Sequence, residues 1–186
     1  MPNYRSGVDG LRVSNSTKGG ITFAASTTQN GIHMITVVLG VEAVDGDPYA
    51  RFVATSSLMN YVVRTFVSSI VVKEGDPYGK SKATVMDGKS ETVLAVAKKD
   101  FYIVEKQGSQ AEPKIQFKSN QESFRAPVKS GTSLGKLHYT DPDKIGRGYL
   151  EDQEPTVDMV AGRTVEKSFF LKVWWNEFVR YVNEKL

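Results

Sequence analysis

Near residue 66 the hydrophobic period of this chain changes from that of a helix to that of a strand, and the switch sets the broad architecture. Before it, Phe52, Thr55, Met59, Val62, Val63 and Phe66 recur at three- and four-residue spacing, which places them on one buried stripe of an amphipathic helix. Asp47-Pro48 offers a side-chain acceptor at the N-cap and a preset φ at the first helical position. The helix is therefore expected to begin there and to end near Phe66. Beyond it, Ser69–Lys73, Thr92–Val96 and Phe101–Glu105 alternate at period two. Asp76-Pro77, Asp87-Gly88, Lys99-Asp100 and Gln107-Gly108 supply turn chemistry between them. Further short strands are expected at Ile115–Phe117, Leu134–Tyr139 and Val157–Val160. Strands at roughly 8–12-residue spacing predict a small all-β sandwich or barrel.

Two other segments complete the outline. Ile21–Ser26 and Ile32–Leu39 are rich in β-branched and apolar residues, and Gln29-Asn30-Gly31 between them tolerates positive φ, the pattern of a β-hairpin. In Glu166–Leu186, Phe170, Leu171, Trp174, Trp175, Phe178, Val179, Tyr181, Val182 and Leu186 cover half of a helix at about 100° per residue. Lys172 and Arg180 lie on the opposite stripe. A lone helix of this length is marginal in water and must bury its apolar half. Two adjacent Trp with Phe and Tyr suit a membrane interface, where aromatic rings sit at headgroup level and Lys and Arg lie above them. Docking on the β-domain or forming a dimer seam are the protein-side alternatives.

The fold class expected is thus α+β: strands and a closing helix over residues 1–66, a β-rich domain over 67–163, and an amphipathic membrane-anchoring helix over 164–186. Charge narrows the function. The 24 Lys plus Arg and 21 Asp plus Glu leave a net charge of +1 in each of residues 1–66, 67–165 and 166–186, an even spread that argues against a nucleic-acid partner. No run approaches the 18 or more apolar residues, at about 30 Å of bilayer core, that a spanning helix needs. The absence of Cys removes disulfides, zinc-thiolate sites and thiol nucleophiles. Met1–Ser6 contains no apolar stretch of the kind a signal peptide carries.

Several motifs then point one way. Tyr4-Arg5-Ser6-Gly7-Val8-Asp9-Gly10-Leu11 resembles the lead-in to the third active-site motif of serine-type D-alanyl-D-alanine carboxypeptidases, the low-molecular-mass penicillin-binding proteins of the S11 peptidase family. Gly19–Ser26 and Asn30–Gly40 are similar to the next two strands of that catalytic domain. Ala50-Arg51-Phe52 and Leu58-Met59-Asn60-Tyr61 resemble its closing helix, and Phe169–Trp175 resembles the anchors of streptococcal enzymes. The resemblance implies that residues 1–66 are the end of a penicillin-binding/β-lactamase-like catalytic domain whose earlier half is not in this chain. It implies a serine acyl-enzyme mechanism that removes the terminal D-alanine from peptidoglycan stem peptides. Stem peptides and β-lactams are the partners implied for the intact enzyme, at the outer face of the cytoplasmic membrane, with no cofactor and no metal.

Such chemistry needs a nucleophile beside a base and donors aimed at the developing oxyanion. The Ser-x-x-Lys pattern occurs at Ser133-Leu134-Gly135-Lys136, in a stretch that reads as strand or turn, and no Ser-x-Asn triplet exists in the chain. Arg12, Val13 and Ser14 stand where the family has Lys, Thr and Gly. Arg12 keeps the charge with a different shape, Val13 loses the hydroxyl, and Ser14 adds a Cβ where close approach favours glycine. The expectation is an inactive isolated chain, a membrane-associated spacer or partner-binding module being the alternative function. Asp141, Asp143, Gly146 and Asp152 lack the ligand pattern of a calcium loop, since Ile145 takes a ligand position. His33 and His138 stand apart from any carboxylate cluster, so no metal site is expected.

Overall fold

The computed structural model describes residues 5–16, 20–41, 49–109, 112–143, 148–149, 153–169, 174, 179 and 181–182. The chain divides into two compact units, Met1–Ser69 with Val104–Ser109 and Ile70–Ile103 with Gln110–Leu186.

In the first unit, β1 (Val8–Ser16), β2 (Gly20–Gln29) and β3 (Ile32–Val41) form an antiparallel sheet in that order, followed by α1 (Ala50–Thr65). Asn30 and Gly31 both have positive φ, 51° and 74°, the geometry of the tight hairpin turn expected from their sequence. Period-two alternation buries Ile21, Phe23, Ala25 and Thr27 of β2 together with Ile32, Met34 and Thr36 of β3. The helix covers this face because its stripe matches it. Met59 is fully buried, Thr55 is nearly so, and Phe52, Val62, Val63 and Phe66 pack on the same cluster. Phe23 and Phe52 meet edge to face at 5.1 Å, an arrangement favoured by the ring quadrupoles.

The helix start differs from the expectation. Tyr49 occupies the N-cap without a side-chain cap bond, and Asp47 and Pro48 lie outside the described residues. The backbone carbonyl of Tyr49 accepts from Phe52 N at 2.8 Å, and its ring lies 6.3 Å from that of Phe52. Aromatic packing marks this end among the described residues. At the other end Phe66 is already extended (φ −121°, ψ 151°) while its N–H still bonds to Val62 O. The helix therefore runs directly into β4 (Phe66–Val72), which pairs with β7 (Phe101–Lys106).

The second unit is the all-β region that the period switch predicts. Its main sheet contains β5 (Pro77–Met86), β6 (Thr92–Ala97), β8 (Lys114–Ser119), β9 (Phe124–Arg125), β10 (Ser133–Thr140) and β11 (Thr156–Ala161). Their order is β8-β10-β11-β6-β5-β9, antiparallel except for the parallel β5–β9 pair. Alternate residues point inward, and Leu134, Leu137, Tyr139, Val93, Val157 and Met159 are the largest fully buried side chains of the core. The edge strand β8 and β5, the strand next to the opposite edge, approach each other to within 8 Å between Cα atoms, so the sheet curls around that core.

Two strands of this unit carry no clear period in the sequence. In β5 the register shifts between Pro77 and Lys82, and Gly79 has φ +55°, so regular alternation begins only at Ser81. β9 has two residues, too few to show a period. Asp87, at φ 59°, makes the expected turn after β5, and its buried carboxylate accepts from Arg125 Nε at 3.3 Å. The same turn fastens the last part of the chain. Asp87 O accepts from Ser168 N at 2.8 Å, Glu166 O accepts from Lys89 N at 2.9 Å, and Gly88 bridges to Lys167.

Candidate functional site

The altered triplet lies on β1. Arg12 is in register with Ala24, Val13 with Phe23 and Ser14 with Thr22, just beyond a bulge between Gly10 and Arg12. Cross-strand partners share a face of a sheet. Arg12 and Ser14 are therefore on the face opposite α1, and all three side chains are exposed. Thr22 Oγ1 donates to the Ser14 carbonyl at 3.3 Å, a contact to backbone that leaves the triplet's side chains to solvent.

Ser133-Leu134-Gly135-Lys136 is strand, as expected, and not the helix in which Ser-x-x-Lys works. Lys136 pairs across to Lys118 on one side and Asp158 on the other, while Ser133 Oγ accepts from Asn120 Nδ2 at 3.3 Å. Gly135 is required by packing: a Cβ there would collide with the Lys118 carbonyl and fall 2.8 Å from Ser119 Cα.

A cleft of about 120 Å³ does exist in the first unit, on the helix side of the sheet, lined by Arg5, Val8, Phe23, Phe52, Thr55 and Met59 among others. Arg5 reaches across it to Ser56 O and Gln29 Oε1, both at 3.3 Å. Arg12 and Ser14 face away from it. None of the triplet's three residues is among those that line this cleft. Among the described residues no three potential metal ligands gather. Asp143 N instead donates to Asp141 Oδ1 at 2.9 Å, the local turn that the sequence suggested.

Of the nine residues expected at a membrane surface, Trp174, Tyr181 and Val182 are described, and all three are helical. Phe170, Leu171, Lys172, Trp175, Phe178 and Arg180 lie outside the described residues. Trp174 is 63% exposed, Tyr181 61% and the preceding Phe169 66%. Large aromatic rings this exposed are unusual for a side chain whose burial is worth roughly 1.5–3 kcal/mol. No helix among the described residues is long and apolar enough to cross a membrane.

Comparison with known proteins rests on this same curled sheet. Residues 66–167 match the family described as penicillin-binding protein 5, C-terminal domain. The chain belongs to that family. Its relatives include the D-alanyl-D-alanine carboxypeptidases DacA of Haemophilus influenzae, 27% identical over 90% of this chain, and of Escherichia coli K12, 24% identical over 89%. The chain spans only 39% and 38% of their lengths. Among solved structures, a peptidoglycan synthesis regulatory factor (PBP3) from Streptococcus pneumoniae superposes with a TM-score of 0.82 at 44% identity, covering 89% of this chain and 45% of that one. Penicillin-binding protein 5 from H. influenzae gives 0.60 at 23% identity, over 86% of this chain and 43% of its own, which shows a shared fold. The matches to the S. pneumoniae and H. influenzae proteins extend upstream of the family domain, since they cover far more of the chain than residues 66–167.

Proposed function

We propose that this chain is the C-terminal part of a serine-type D-alanyl-D-alanine carboxypeptidase, in which a β-rich domain carries a helix that rests on the membrane surface. The intact enzyme would remove the terminal D-alanine from peptidoglycan stem peptides and would react with β-lactams, at the outer face of the cytoplasmic membrane. The observation that carries the reading is the family match, joined to the two-fifths coverage of relatives named as carboxypeptidases. The residues present support a carrier role and not the reaction. The Ser-x-x-Lys pattern is on a strand of the β unit, Val13 lacks the hydroxyl that would meet the substrate carboxylate at its position, and Ser14 adds a Cβ where close backbone approach favours glycine. Acting alone, the chain is a membrane-associated spacer.

Fluorescent penicillin tests the chemistry: this chain should acquire no covalent label under conditions that label a full-length relative. Stable labelling would overturn the assignment of an absent nucleophile. The membrane arm has a built-in probe, because the chain's two tryptophans, Trp174 and Trp175, are both in the terminal segment. Their emission should shift to the blue when the chain meets anionic vesicles. Unchanged emission and no co-sedimentation would favour a helix docked on protein.

A further inference from the structure

The acidic and basic residues of the second unit are sorted by position in a way that a regional charge count conceals. β5, β8 and β10 contain no Asp or Glu, yet they carry Lys80, Lys82, Lys114, Lys118 and Lys136, all exposed, together with the half-buried His138. Most acidic residues of this region sit in the connecting turns. Lys118 is directly opposite Lys136 in the β8–β10 ladder, and Gln116 is opposite His138. Like charges in direct cross-strand register are destabilising by up to about 1 kcal/mol, so the fold bears a cost to keep them together. None of the five lysines forms an ion pair among the described residues, including Lys136 with its β11 neighbour Asp158. The positive potential is felt locally: after burial, the charges of Lys118 and Lys136 are what hold His138 below its ordinary range, against the pull of Glu154. The curl that brings β5 to the side of β8 adds Lys80 and Lys82 to the same flank of the unit.

We infer that the outward face of β8 and β10, extended by β5, is a docking surface for a linear polyanion bearing phosphate groups. Along β8, Lys114 and Lys118 are four residues apart, about 13 Å at the rise of a strand, and Lys136 stands one strand spacing, about 4.8 Å, to the side. This is a track of compact point charges, which suits successive phosphates and not a single bidentate ligand. A flexible chain can follow the curled sheet, whereas a flat bilayer would touch it along a limited line. Nucleic acid fits less well, because Phe117 and Tyr139 turn inward and the two strands present no Phe, Tyr or Trp ring on the lysine face for a base to stack on.

The test is titration of the full chain with medium-length linear polyphosphate, with phosphatidylglycerol vesicles as the second probe. Binding is expected at low salt, and engagement of four phosphates would weaken it about 50-fold between about 50 and 200 mM salt. Lys118→Glu should reduce polyphosphate affinity at least about 10-fold at low salt, and it should leave thermal stability equal or higher because it places a carboxylate opposite Lys136. If that variant melts early, K114Q/K136Q removes two charges without adding one and should show the same loss. Absence of polyphosphate binding at 50 mM salt, or binding that both variants leave unchanged, would overturn the inference. So would vesicle capture that depends on these lysines while polyphosphate is ignored.

Discussion

The two units bury their sheets differently. The second wraps a curled sheet around one core, with Leu134, Leu137 and Met159 wholly inaccessible and most acidic residues in the connecting turns. The first covers one face of a three-stranded sheet with a single helix and leaves the other open, so that Ile35, Val37 and Leu39 of β3 are 61%, 56% and 73% exposed. β3 is ten residues long, contains no charge and no Pro, and forms one edge of its sheet. Natural edge strands are normally blunted by charges, bulges or cover. The contrast separates a closed core from a sheet with one open face.

The largest expected effect sets the two sheets against each other directly. Leu137→Ala removes a fully buried side chain and should destabilise the second unit by about 2–5 kcal/mol in urea unfolding. Ile35→Ala, at an outward position of the first unit, should change stability by no more than about 0.5 kcal/mol, yet reduce any self-association measured by sedimentation. Equal destabilisation by the two variants would show that the open face is covered after all.

Next comes Gly135→Ala, expected to cost about 1–3 kcal/mol because overpacking must push β8 away from β10 at the Lys118 carbonyl. Hydrogen exchange should locate the loosening at Gly135, Leu137 and Tyr139, leaving the β2–β3 hairpin protected. Smaller still is Arg125→Met. It deprives the buried Asp87 carboxylate of an ion-pair partner that is itself 61% exposed, so solvent screening limits the loss to about 1 kcal/mol in thermal melts. Because Asp87 also anchors Ser168, faster exchange at Ser168 should accompany it.

Much of this architecture was legible in the chain because period reports burial. The stripe from Phe52 to Phe66 and the alternation in β6, β7, β10 and β11 both arise from one buried face, and each was found in the structure. β5 was hidden because its first half is polar and its register shifts. The N-terminal end of α1 was misread because aromatic contact between Tyr49 and Phe52 leaves no capping signature. The altered triplet was legible as a departure from a pattern, but the position of Arg12 and Ser14 on the face opposite the cleft required the register of β1. The lysine face was missed for a different reason. Net charge summed along the chain averages turns with strands, whereas Lys80 with Lys82 and Lys114 with Lys118 carry the signal in their even spacing.

The smallest effect expected is a pH dependence at His138. Its folded pKa is lowered from 6.5, first by burial, then by Lys118 and Lys136 of the flanking ladder, with Glu154 opposing. A histidine depressed on folding binds its proton more readily in the unfolded chain. Stability from this group is therefore present above 6.5 and is lost as pH falls through that value toward the folded pKa. His138→Gln should remove this component, so the variant should lose less stability than the parent between neutral and mildly acidic pH. Lys118→Glu should act in the same direction by replacing a repelling charge with an attracting one. If the acid-induced loss is identical in parent and His138→Gln, the local potential of the lysine face is weaker than the geometry implies, and the two units differ in packing alone.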